Sequence, residues 1–183
     1  MNTRVLVMLS LLAGIGAVLH TVIPGVVLGM KPDMMLAMLF LGILLFPKPS
    51  YVLLLSIVTG LISGLTTAVP GGQIANVIEK PITAFAFLGL VLLTKRLARF
   101  KVTQPALAGI GTLISGTVFL TIVLYVLGML QGSFAALFLA VVLPTTAFNV
   151  LFVGITYPII TTIMKRTSLA DLSPALQPRG SKA

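Results

Sequence analysis

Apolar residues run along this chain in long stretches, broken by short clusters of proline, glycine and charge. They follow neither the alternation of a half-buried strand nor the spacing of an amphipathic surface helix. A helix needs about 20 residues at 1.5 Å each to cross a hydrocarbon core of about 30 Å. The stretches therefore predict membrane-spanning helices, and six fit: residues 4–23, 33–46, 51–69, 77–94, 104–130 and 134–164. Pro24-Gly25, Pro47-Lys48-Pro49, Pro70-Gly71-Gly72 and Gly132-Ser133 punctuate them. Pro144 predicts a kink in the last. The chain reads as an all-α membrane protein, with a six-helix domain over residues 1–166 and a polar, frayed tail over 167–183.

Composition agrees. The chain is 58% hydrophobic and 8% charged, where a soluble domain carries about a quarter charged residues. The net charge of +9 would raise the question of nucleic acid in a soluble protein. Here the basic residues sit between apolar runs rather than along one face. Arg4, Lys48, the cluster over 95–101 and Lys165-Arg166 all fall on one side, which the positive-inside rule makes cytoplasmic. Six crossings place both termini there. Only Lys31 and Lys80 fall on the outer side. The first stretch is too long for a cleaved signal segment.

Several chemistries are excluded or unsupported. The chain has no cysteine, so no disulfide or thiolate chemistry. It has no phosphate-binding Gly-x-x-x-x-Gly-Lys loop, so it does not hydrolyse ATP by itself. One His and three acids suggest no metal site, no cofactor and no enzyme. No ring of charges suggests a channel. Binding and transport remain.

Two stretches are short. The second has about 14 apolar residues between Pro32 and Pro47, roughly 21 Å of helix. The apolar part of the fourth, from Pro81, is about as short. Both run inward, so the missing length falls at their outer ends, where the charge lies. Lys31-Pro32-Asp33 opens one, and Gln73, Asn76, Glu79 and Lys80-Pro81 open the other. A carboxylate below the membrane surface needs a partner or water. A chamber open to the outside would supply both and would suit a zwitterion. Asp33 and Glu79 would hold an ammonium. Lys31, Lys80 and two helix N-termini would hold a carboxylate. Gln73 and Asn76 would add neutral contacts, and Met, Phe and Leu the rest.

Each residue also has a plainer reading. Asp33 and Glu79 could serve as helix-start acids. Lys31 and Lys80 could snorkel to outer headgroups. His20, the only histidine, could be a hydrogen-bonded interface residue, and Asn149 could satisfy carbonyls freed by the Pro144 kink. Ala13 and Ala17, four apart on the first helix, offer a face for close approach of another helix, inside or outside this chain. Leu61-Ile62-Ser63-Gly64 recurs as Leu113-Ile114-Ser115-Gly116, which fits small residues at two helix contacts or a transporter repeat.

Five segments carry a resemblance: residues 13–25 (AGIGAVLHTVIPG), 29–36 (GMKPDMML), 42–48 (GILLFPK), 70–81 (PGGQIANVIEKP) and 132–144 (GSFAALFLAVVLP). Together they resemble the bacterial tryptophan transporter family TrpP, whose members look like substrate-binding S components of energy-coupling factor (ECF) transporters. The resemblance reaches about Lys165. It implies the six-helix S-component fold in the bacterial cell membrane, with L-tryptophan as ligand. It also implies a transmembrane coupling subunit and two cytoplasmic ATPases as partners. In that class an Ala-x-x-x-Ala motif on the first helix, here Ala13 and Ala17, contacts the coupling subunit, and the following loop, residues 24–32, is a gate. The S component is thought to topple in the membrane to release its ligand. A stand-alone secondary transporter of a small hydrophobic or aromatic solute is the alternative, with Asp33 or Glu79 coupled to protons. A membrane scaffold or lipid-handling role is a third.

Overall fold

The computed structural model describes residues 1–23, 33–94, 102–167, 169–173 and 176. Every regular element among them is helical. Six helices form the molecule: α1 (Thr3–Val22), α2 (Met34–Leu45), α3 (Pro49–Thr66), α4 (Gly72–Leu93), α5 (Thr103–Val126) and α6 (Phe134–Arg166). All but α2 are long and apolar enough to cross a membrane. The expected loop of residues 24–32, Lys31 included, and the basic cluster over 95–101 lie outside the described residues.

α2 is the axis of the bundle. Its sequence, Met-Met-Leu-Ala-Met-Leu-Phe-Leu-Gly-Ile-Leu-Leu, has no polar face, and every residue in it is buried. A helix apolar all round belongs inside, and α2 touches each of the other five. Its 12 residues span only about 18 Å, as the sequence suggests. The outer surface carries Leu11, Val18, Leu61, Leu139 and Ile155, all exposed, as a lipid-facing surface requires.

Lipid is as apolar as leucine, so close packing rather than water-driven burial holds such helices together. The two Leu-Ile-Ser-Gly segments provide it. A Cβ at Gly64 would lie 2.9 Å from the Gln73 carbonyl oxygen, and one at Gly116 would lie 2.4 Å from Val142 Cγ1. The first glycine seats α3 on α4 and the second seats α5 on α6. The repeat marks two helix contacts.

Several boundaries depart from expectation. α4 starts at Gly72 rather than Val77 and runs 22 residues with Pro81 inside it. It is a full-length helix, so shortness does not account for its charged residues. They belong instead to a buried polar face: Asn76, Glu79, Lys80 and Thr83 follow helical spacing and are all buried. Lys80 is therefore neither an outer-loop residue nor a snorkelling one, at 1% exposed. α3 ends at Thr66, short of Pro70, because the residues before a proline leave the helical region. α5 ends at Val126 rather than Leu130, and its last turn, Ile122–Val126, is a π-helix.

The kink expected at Pro144 is resolved differently. A π turn, Phe138–Val142, precedes it, and Pro144 falls in the first turn of the α-helical stretch that follows. A proline is accommodated beside a π turn, which already interrupts the regular ladder of helix hydrogen bonds. Asn149 does not serve freed carbonyls. Its Nδ2 donates to Thr112 Oγ1 of α5 at 3.1 Å.

The start of the tail is not frayed. Ala170–Leu172 form a 3-10 turn, and Leu169, Leu172 and Leu176 pack on the core. Ser173 is fully buried, and its Oγ donates to the Leu45 carbonyl at 2.7 Å. That carbonyl is one of the unpaired acceptors at the end of α2. The same end of the bundle brings together Asn2, Lys48, Tyr51 and Asp171 around one cleft.

Candidate functional site

α2 begins with Asp33 as its N-cap, and Asp33 Oδ1 accepts from Leu36 N at 3.0 Å. The capping role is real, and it turns the second carboxylate oxygen toward α4. Lys80 Nζ donates to Asp33 Oδ2 at 2.5 Å and to Glu79 Oε2 at 2.8 Å. Lys80 also reaches Asn76 Oδ1 at 3.3 Å, one helical turn back. Asn76 is held in turn by donating to the Gly72 carbonyl at 2.8 Å.

Glu79 is fully buried and accepts from three donors. Besides Lys80 it accepts from Thr83 Oγ1 at 2.7 Å and from Ser115 Oγ at 2.5 Å, both on Oε1. Three donors thus meet one carboxylate at a depth where an unpaired charge is costly. His20, near the end of α1, places Nδ1 3.6 Å from Asp33 Oδ1. The cluster thus joins four helices through two carboxylates, one lysine and one histidine.

A cavity of about 700 Å³, its open mouth included, lies against this cluster. Its polar lining includes His20, Asp33, Asn76, Glu79 and Lys80, Thr112 and Ser115 of α5, and Thr67 and Thr145. Phe119, Leu120, Val141 and Val142 of α5 and α6 line the apolar part, with Leu36 and Val69. One region is charged and the other is apolar, as a solute with a charged end and a hydrophobic body requires.

Five of the eight candidate binding residues thus meet at one cavity. Gln73 does not, since it is exposed in the first turn of α4 and does not line the cavity. Asn149 is fully buried behind the cavity-lining Thr112. Lys31 lies outside the described residues. Only α2 brings its N-terminus to the site, because α4 starts two turns earlier. The apolar wall holds Leu and Phe as expected, but valine where methionine is expected. Ser115 and Thr112 join the site without having been expected there. The sequence signal for Ser115 is the repeated Leu-Ile-Ser-Gly, whose glycine packs while its serine faces the cluster. Of the α1 pair, Ala13 is buried in the core and Ala17 half-buried, while Gly14 beside them faces outward with open space around it.

A bundle of lipid-facing helices around a partly charged, open-mouthed cavity defines a multi-pass membrane protein. The chain matches the family described as "Tryptophan transporter TrpP" over residues 2–165, and it belongs to that family. It is similar to a "Probable tryptophan transport protein" of Bacillus subtilis (strain 168), with 52% identity over 93% of this chain and 98% of the relative. A protein of the same description in Clostridium acetobutylicum is 39% identical over 81% of this chain and 86% of the relative. One in Clostridium perfringens (strain 13) is 34% identical over 92% and 97%. No solved structure matches. The protein is a multi-pass protein of the bacterial cell membrane.

Proposed function

We propose that this chain is the membrane-embedded subunit that binds L-tryptophan for uptake, working with an ATP-driven energy-coupling module. The observation that carries the reading is the division of the cavity: an ion cluster on one side and an apolar wall on the other. Asp33 and Glu79 would receive the ligand's ammonium. Lys80 would receive its carboxylate. The indole would lie against Phe119, Leu120, Val141 and Val142. An indole-sized group can bury 150–250 Å², which at about 25 cal/mol per Å² is several kcal/mol before ordering costs. The names of the relatives support tryptophan as the solute.

Titration of the purified protein with L-tryptophan should give saturable binding without ATP. Indole, which lacks the zwitterion, should bind far more weakly. The chain has no tryptophan of its own, so the ligand's fluorescence gives a second readout. A folded preparation that binds no tryptophan would overturn the proposal.

The coupling subunit would dock on the outward face of α1. Ala13 is in the core, so the available small residues are Gly14 and Ala17. A Cβ at Gly14 meets nothing within 4 Å, so leucine there leaves the fold intact. Gly14→Leu with Ala17→Leu should abolish uptake in cells carrying the coupling module and leave tryptophan binding unchanged. Loss of both together would assign this face to folding instead.

The fully buried Glu79 favours one second reading, a proton-coupled carrier acting alone. Proteoliposomes containing only this chain separate the two. Uptake driven by a proton gradient would support the carrier, and dependence on an added ATPase module would exclude it.

A further inference from the structure

Threonine hydroxyls in this bundle follow one habit. Thr59, Thr66, Thr112, Thr117, Thr146 and Thr156 each donate to the carbonyl four residues back, at 2.6–2.8 Å. This back-bonding is how a hydroxyl is satisfied in an apolar helix bundle. Thr145 breaks the habit. Its neighbour Thr146 donates to the Val142 carbonyl, yet the Thr145 hydroxyl has no partner among the described residues. Thr145 sits just after the π turn Phe138–Val142, and it lines the cavity with Val141, Val142, Phe119 and Leu120.

Thr145 is half-buried, and its hydroxyl is a polar group among the apolar residues Val141, Val142, Phe119 and Leu120 of the cavity lining, open to a ligand that enters there. One turn further along α6, Asn149 Oδ1 is a fully buried acceptor with no partner among the described residues. Asn149 lies behind Thr112 and does not line the cavity, so it is left to hold Thr112. Thr145 is the acceptor on the ligand's side. A hydroxyl has two acceptor lone pairs besides its O–H, so it can take an N–H while keeping its own proton.

We infer that Thr145 is a specificity-determining residue: its hydroxyl accepts a hydrogen bond from a ring N–H on the aromatic part of the ligand. The inference rests on the proposed tryptophan reading and deepens it, because the indole nitrogen is the one donor on that side chain. The charged cluster reads the amino-acid end, which all amino acids share. The apolar wall reads bulk, which phenylalanine partly supplies. Only a polar contact within that wall separates an indole from an apolar ring of equal size. Sites built to bond a ligand's N–H reject isosteres lacking it, because the protein's own group is then left unpaired.

The test uses L-tryptophan and β-(3-benzothienyl)-L-alanine, in which sulfur replaces the ring N–H at nearly equal size. Both are titrated calorimetrically into the wild type, Thr145→Val and Thr145→Ser. The wild type should prefer tryptophan about tenfold, the worth of one net hydrogen bond. Thr145→Val should lose that preference by weakening tryptophan alone, and Thr145→Ser should keep it. Equal wild-type affinity for both ligands would overturn the inference without needing any variant to fold. So would equal weakening of both by Thr145→Val, which is what a packing role gives. If the wild type binds neither ligand, the tryptophan reading itself falls, and this assignment with it.

Discussion

Lys80→Met should lower the thermal stability of the purified protein more than any other single substitution in the cavity. The methionine fills about the same space, so the change is one of charge. Lys80 is 1% exposed and is the only lysine or arginine paired with Asp33 and Glu79 among the described residues. Without it two carboxylates face each other across the α2–α4 contact. Breaking a buried pair by removing one partner costs about 3–5 kcal/mol. Here one cation serves two anions, so the upper end of that range is expected. Glu79 keeps Thr83 and Ser115 as donors, whereas Asp33 keeps its Leu36 backbone donor and His20 at 3.6 Å. Adding Asp33→Asn to Lys80→Met should therefore recover part of the loss. Melting in detergent, followed by helical signal, reads both. A Lys80→Met protein that melts with the wild type would show that the cluster is solvated and its ion pairs idle.

Much of this architecture is legible in the sequence, for a physical reason. A membrane removes water from the choices open to the backbone, so apolar length alone specifies helices. α1, α2 and the body of α6 fall where apolar length places them, and the shortness of α2 draws attention to Asp33, which lies in the ion cluster beside the cavity. The start of α4 is not legible in this way. Gln73 to Lys80 looks like an outer loop because it is polar and precedes a proline. Polarity marks the surface only in a helix whose polar groups lack partners inside. Asn76, Glu79 and Lys80 have them in Gly72, Ser115, Thr83 and Asp33, and two of those lie on other helices. Such pairing depends on how α2, α4 and α5 pack, which no local pattern encodes. The tail misleads for the same reason. Ser173 is a polar residue in a polar segment until the open end of α2 is placed beside it.

Glu79→Gln should leave the fold largely intact and weaken tryptophan binding roughly ten- to a hundredfold, the worth of about 1.5–3 kcal/mol for a hydrogen bond to a charged group. The cause is a balance of charge. Two carboxylates share one lysine, and His20 adds a positive charge only when protonated. With His20 neutral the cluster carries one negative charge in excess, and the ligand's ammonium completes it. Glutamine keeps the acceptor that Thr83 and Ser115 use, so the α4–α5 link survives. It removes the excess charge, and with it the attraction for the ammonium. Asp33→Asn changes the charge equally but also weakens the hold of Lys80 and the cap of α2, so it should cost stability as well as affinity. Ligand fragments test the same balance from the other side. Tryptamine keeps the ammonium and lacks the carboxylate, while indole-3-propionate does the reverse. Competition against tryptophan should rank tryptamine first on the wild type, and the gap should close on Glu79→Gln. If indole-3-propionate competes better, Lys80 is released to the ligand's carboxylate on binding, and the carboxylate rather than the ammonium is the end of the zwitterion that the cluster chiefly holds.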